Sequence, residues 1–189
     1  PSPELTGGSG FNFEDAAAAC YLDALVGGTT APGLNARVVQ RVAQQQEGAG
    51  EPLDDVIVDA LALADNSLMR LSLQIKRSLT VSDAASNTDF REVIQRSWQT
   101  LQKTDFRDHV DRVGAAVGKI SDDAYRNFTT VCEWARASES PASFFQRFGG
   151  GAGASQAHQA VVDAVRTCAL ADTGSLLDEA LHRLLSHLV

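Results

Sequence analysis

Asp55 stands at the entry to the apolar stretch Val56-Ile57-Val58, and Gln74 and Lys76 stand two residues apart in a later one, Leu73-Gln74-Ile75-Lys76. A carboxylate and an amide carbonyl are oxygen donors of the kind that hold Mg²⁺ while leaving it several waters. A lysine close to such an ion can orient or deprotonate an attacking water, and its charge stabilises an anionic transition state. Together these groups suit phosphodiester hydrolysis, where a cation neutralises the phosphate and activates the water. Asp54 and Asp55 are adjacent, so either could face the cation; Asp55 is favoured because it enters the extended stretch directly. Mn²⁺ is a possible substitute for Mg²⁺.

Such a site needs two neighbouring strands to carry it. Residues 53–59 and 68–77 are predicted as strands, joined by the turn-forming Asp65-Asn66-Ser67 into an antiparallel hairpin. In the second strand Leu71, Leu73 and Ile75 alternate with Ser72, Gln74 and Lys76, which puts Gln74 and Lys76 on one face. Upstream, residues 1–10 read as a flexible Gly- and Pro-rich lead, residues 11–26 as a helix capped by Asn12, and residues 34–46 as a second, shorter helix. Downstream, residues 89–103 read as an amphipathic helix and residues 113–117 as a further buried strand. Helices are then expected over residues 121–137, from Ser140-Pro141, and over residues 156–170 and 175–187, with a flexible break at 149–153. The expected fold is α/β: a small mixed sheet flanked by helices, with a C-terminal helical extension. The division is a lead over residues 1–10, a core over 11–120 and the extension over 121–189.

The Asp…Gln-x-Lys pattern on a hairpin resembles the PD-(D/E)XK nuclease signature in its Gln variant, as in Mrr-like restriction endonucleases. Joined to the opening Gly10-Phe11-Asn12-Phe13-Glu14-Asp15 and to Leu73-Gln74-Ile75-Lys76-Arg77-Ser78, it is similar to N-terminal nuclease effectors of STAND-type NTPases in bacterial antiphage defence. The likeness covers residues 10–78 and fades beyond. It implies a restriction-endonuclease-like core with Asp55 as main metal ligand, Gln74 as ligand through its carbonyl, Lys76 as catalytic lysine and Glu14 as accessory ligand. It also implies double-stranded DNA as substrate, and a homo-oligomer formed through a larger assembly or a fused NTPase module. Gln74 in place of the commoner acid makes the site less anionic. The plain alternative for Glu14 is a first-turn acid favoured by the helix dipole. A catalytically silent module of the same fold, used for oligomerisation or partner docking, is the competing function, and RNA is the competing substrate.

The charge balance pulls the other way. At a formal net charge of −8 the chain is poorly suited to avid DNA binding on its own, since phosphate contacts draw on Lys and Arg. Arg70, Lys76, Arg77, Arg91, Arg96 and Lys103 are the candidates for a local phosphate-facing patch. No apolar run approaches the roughly 20 residues of a membrane span. The N-terminus lacks a basic and then apolar leader, so a cytoplasmic protein is expected. The chain stops at Leu188-Val189 within an apolar pattern, as expected of a piece of a longer protein.

Other candidates carry less. Cys20, Cys132 and Cys168 are far apart on predicted helices and read as reduced, buried thiols. His182 and His187 are five apart, the wrong spacing for two ligands on one helix face, and His109 and His158 read as surface groups. Asp105, Asp108 and Asp111 lack the glycine and closing glutamate of a calcium loop and read as a charged turn partnered by Arg107 and Arg112. No Gly-x-x-x-x-Gly-Lys phosphate loop is present.

Overall fold

The computed structural model describes residues 4–149, 153–170 and 176–189, with side chains from Phe13 onward. It is a mixed α/β fold built on a four-stranded sheet in the order β1-β2-β3-β4. The strands are β1 (Val38–Gln44), β2 (Val56–Leu61), β3 (Leu68–Lys76) and β4 (Arg112–Val117); the helices are α1 (Glu4–Gly27), α2 (Thr88–Leu101), α3 (Asp122–Ala137), α4 (Pro141–Phe145), α5 (Gln156–Cys168) and α6 (Asp178–His187).

The hairpin forms as its sequence predicts. β2 and β3 pair antiparallel with Val56 opposite Leu73 and Val58 opposite Leu71. The turn between them is local chemistry: Asn66 takes a left-handed φ of 56°, and the Asp65 carboxylate accepts the Ser67 N–H at 2.9 Å. β4 runs parallel to β3, with Gln74 opposite Ala115. Parallel neighbours need a long crossover, and α2 supplies it.

Two expectations upstream give way. Residues 34–46 are not a helix: Val38, Val39 and Val42 belong to β1, which pairs antiparallel with β2 through a bulge between Val39 and Arg41. Branched side chains suit the pleated surface, and without β1 the backbone groups along that side of β2 would lack partners. The lead of residues 1–10 lies outside the described residues over 1–3; from Glu4 the chain is already helical, so Asn12 sits inside α1 and does not cap it.

The period-two alternation of β3 divides the molecule into two cores. Leu71, Leu73 and Ile75 join Val56, Val58 and Met69 against Ala18, Tyr21 and Ala24 of α1 and Leu34 of the loop that follows it. On the opposite face Val113 packs with Phe90 and Ile94 of α2, and the same cluster takes in Val131, Val165, Leu181 and Leu185. The C-terminal helices therefore share one core with α2 and β4. Their starts are locally encoded: Ser121 accepts the Ala124 N–H, and capping boxes at Ser140/Ser143 and Ser155/His158 open α4 and α5. Part of the break expected at 149–153 lies outside the described residues. No helix among the described residues is long and apolar enough to cross a membrane. All three cysteines are free, but Cys20 is exposed where a buried thiol is expected.

Candidate active site

Asp55 immediately precedes β2, one residue before the Val56–Leu73 pair, so its side chain meets the end of β3. One carboxylate oxygen, Oδ2, accepts the Ile75 backbone N–H at 2.6 Å and the Gln74 Nε2 at 2.6 Å. The strand ladder is thus extended by a side chain at the point where β2 has no backbone to offer. Gln74 is only 6% exposed. With its NH₂ donated to Asp55, its carbonyl Oε1 is left buried and accepts no hydrogen bond from the protein. The reverse amide orientation would press two acceptors together at 2.6 Å. A buried acceptor without a partner costs about 1–3 kcal/mol.

Glu14 comes from α1. Gly118, bonded through its N–H to the Lys76 carbonyl at 3.0 Å, lies so close to Phe13 that a Cβ there would stand 2.8 Å from the ring. That close approach seats the start of the described α1 side chains against the ends of β3 and β4, and Glu14 follows. Partial burial pushes the Glu14 carboxyl above its usual pKa, and the nearby Asp55, Asp15 and Asp54 charges add to this, while Lys76 opposes it. Burial likewise raises Asp55. The Ile75 N–H, Lys76 and Arg96 pull it back and Asp54 pushes it further up. Two carboxyls raised chiefly by burial thus accompany a buried carbonyl that has no hydrogen-bond partner.

Asp54 goes elsewhere. Its carboxylate meets Arg96 Nη1 at 2.7 Å, and the same guanidinium donates to the Pro52 carbonyl at 3.1 Å. Of the adjacent pair, Asp55 adjoins Gln74 and Asp54 is held in an ion pair. Lys76 lies on the Gln74 face, its ammonium 2.6 Å from Glu92 and 3.5 Å from Asp89. Burial works against the charged lysine, but these two carboxylates outweigh it and hold its pKa above the ordinary value. Lys76 is therefore a fixed cation at neutral pH, suited to orienting water and stabilising charge and not to taking a proton.

The donor set fits a small divalent cation in kind. Asp55 and Glu14 offer carboxylate oxygens, and Gln74 Oε1 is the orphaned acceptor such an ion satisfies. Among the described residues no three His, Cys, Asp or Glu side chains converge to hold a metal, so the amide carbonyl and water would complete any such set.

The expected phosphate-facing patch is largely neutralised. Arg70 pairs with Asp59 at 3.1 Å and Asp105 at 3.3 Å, Lys103 with Glu51 at 2.6 Å, and Arg96 with Asp54 and Glu92. Arg91 donates to the Asp83 carbonyl. Arg70 stands opposite Asp59 in the hairpin, and Arg96 on α2 and Lys103 just after it meet carboxylates some forty to fifty residues upstream, pairings that sequence order does not reveal. Glu92 is the member that sequence reasoning missed, although its i,i+4 spacing to Arg96 on α2 is the signal that marks it.

The remaining expectations divide. Asp111 is partnered by Arg107 at 2.7 Å, but Arg112 reaches the Asp111 backbone carbonyl and not its carboxylate. His187 is buried against that same carbonyl at 2.9 Å, and His158 packs edge-on to Trp134. Comparison with protein-family models, with curated proteins and with solved structures found no match.

Proposed function

We propose that the protein is a Mg²⁺-dependent endonuclease that hydrolyses phosphodiester bonds of double-stranded DNA. The observation carrying this reading is the buried, unpartnered Gln74 carbonyl beside Asp55, with Glu14 near and the Lys76 ammonium on the same strand face. Asp55, Gln74 and Glu14 would hold the ion, which supplies charge neutralisation and an acidified water. Mn²⁺ has the same ligand preferences and is the expected substitute. Lys76, kept charged by Glu92 and Asp89, orients the attacking water and offsets the charge developing on the phosphate. DNA as substrate, a role as effector of a bacterial antiphage protein, and work within an oligomer or fused NTPase assembly rest on the resemblance over residues 10–78. Cutting both strands calls for two sites, which clustering provides.

Incubation with supercoiled plasmid tests this. Nicked and linear product should form with Mg²⁺, none with EDTA, and Lys76→Ala should abolish cleavage with the fold intact. Cleavage by the alanine variant would remove the mechanism. No cleavage under any condition, with no cation bound at millimolar concentration, would favour the silent docking module instead.

A further inference from the structure

β4 is an edge of the sheet, and among the described residues its outer side is taken only at its start. Leu188 leaves α6 in an extended conformation, with φ −69° and ψ 137°. It bridges Val113 in parallel, and the Val189 N–H donates to the Val113 carbonyl at 2.9 Å. Gly114 makes this approach possible, because a Cβ there would collide with the Val189 carbonyl. Leu188-Val189 thus forms the first rung of a fifth strand.

Within a parallel strand the N–H and C=O of one residue point to the same side, and the side alternates along the chain. Gly118 donates to Lys76 of β3 at 3.0 Å, whereas Val113 faces the outer edge. Ala115 and Val117 therefore face outward as well. Past Val189 along this edge, the Ala115 carbonyl and the Val117 N–H and carbonyl have no hydrogen-bond partner among the described residues. Edge groups of this kind are a template for pairing with another chain.

The edge lies in a slot, and α3 is its far wall. Arg136 of α3 donates to the Leu188 carbonyl at 2.7 Å. Further back along the helix, Thr129, Phe128 and Tyr125 border cavities on both faces of the edge. The cavity on the α2 side, about 160 Å³, lies against Ala115 and Val117 and is closed by Val93 and Ile94. The one on the α1 side, about 510 Å³, lies against Ala116 and reaches Tyr21 and Leu71. From Tyr125 to Cys132 the wall is about 10 Å long, which spans about three extended residues. Tyr125 is 58% exposed, so the slot is reached from solvent at that end.

We propose that this slot binds an extended segment of a partner polypeptide, which continues the strand begun by Leu188-Val189 parallel to β4 and inserts an aliphatic side chain on the α2 side at every second residue. Main-chain bonds give such binding its affinity, and alternating pockets give its selectivity. The Leu188–Val113 bridge sets the register. Segment residues opposite Ala115 and Val117 share the face of Val113 and enter the smaller cavity; the residue between them faces the larger one. A lipid chain or small apolar molecule would fill the cavities but leave the Ala115 and Val117 backbone groups without partners. A second copy offers strand edges already built into a sheet, and the wall of α3 obstructs their approach. The inference goes beyond the nuclease reading and does not depend on it.

The probe is the capped tetrapeptide acetyl-Val-Phe-Val-Lys-amide, titrated into the full chain and followed by NMR and amide exchange. It should bind saturably below about 10 mM, shift Ala115, Val117 and Thr129, and slow exchange of the Val117 N–H at least about tenfold. In this register the Phe of the peptide pairs through its N–H and C=O with Ala115 and Val117, whereas the following Val turns its N–H outward. N-methylation at the Phe should weaken binding at least about tenfold, and N-methylation at that Val should cost far less. Thr129→Arg, which puts a long side chain into the slot, should abolish binding while the protein melts as wild type. Should it melt early, the two methylated peptides decide with the wild-type protein alone. No saturable binding, equal loss with both methylated peptides, or binding that leaves Val117 exchange unchanged would overturn the proposal. So would a folded Thr129→Arg protein with unchanged affinity, or Val117 protection that rises with protein concentration alone, the mark of a second copy.

Discussion

Glu92 spans two cations: its Oε2 lies 2.6 Å from Lys76 Nζ, and its Oε1 lies 3.0 Å from Arg96 Nη2. Through Arg96 the chain of charges continues to Asp54 at 2.7 Å. A single carboxylate on α2 therefore sets the position of the strand lysine and braces the aspartate pair at the mouth of β2. Glu92→Gln should lower the pKa of Lys76, read from its ε-methylene resonances in a pH titration. A lysine with a raised folded-state pKa stabilises below its unfolded value, near 10.4, and that contribution is lost as pH rises through the folded value. The stability gap between wild type and variant should accordingly be present at neutral pH and close at strongly alkaline pH. An unchanged Lys76 titration would contradict this role.

Asp55 and Glu14 have the opposite relation to pH. Both carboxyls are raised, so their stabilising contribution is full below the usual carboxylate range and is lost as pH rises through the folded-state values. Asp55→Asn keeps an oxygen for the Ile75 and Gln74 donors and removes the charge. The variant should melt above wild type at pH 7 in EDTA, and its Glu14 should titrate at lower pH. Adding Mg²⁺ should raise the melting temperature of the wild type and leave that of the variant unmoved. A variant less stable than wild type at pH 7 in EDTA would contradict the charge argument.

Gly118 lets Phe13 approach the ends of β3 and β4. An alanine Cβ there would stand 2.8 Å from the Phe13 ring and 2.9 Å from the Arg77 carbonyl. Gly118→Ala should displace the start of α1 and carry Glu14 with it, costing roughly 1–3 kcal/mol in chemical denaturation. Affinity for a divalent cation should fall alongside. Wild-type stability in the alanine variant would show that α1 is not seated there.

Asp111 is the fixed point of the opposite end of the sheet. Only 2% exposed, it accepts the backbone N–H of Arg70 at 2.8 Å and of Arg107 at 2.9 Å, and both side-chain contacts from Arg107. Asp111→Ala leaves these donors unsatisfied and should cost about 2–4 kcal/mol in urea denaturation, with little effect on the Asp55 site. A loss below about 1 kcal/mol would show that water replaces the carboxylate.

The hairpin and the shared face of Gln74 and Lys76 were legible in the sequence because period-two alternation and an Asx turn are local signals. The capped starts at Ser121 and Ser140 were legible for the same reason. β1 was not: Val38–Gln44 joins the sheet through pairing with β2, a tertiary demand that overrode the helical reading of residues 34–46. The fate of the basic residues was equally hidden. Arg70 meets Asp59 across the hairpin, and Lys103 meets Glu51 some fifty residues upstream, so charges that look available along the chain are cancelled in space.

The sharing of one cation by Asp55, Gln74 and Glu14 is tested most directly by paramagnetic broadening with substoichiometric Mn²⁺. The Gln74 side-chain amide and the backbone amides of Asp55 and Ile75 should disappear first, and Asp55→Asn should abolish the effect. Broadening that begins instead at exposed acids such as Asp122 and Asp123, or that is the same in the Asn variant, would contradict a metal site at the end of β3.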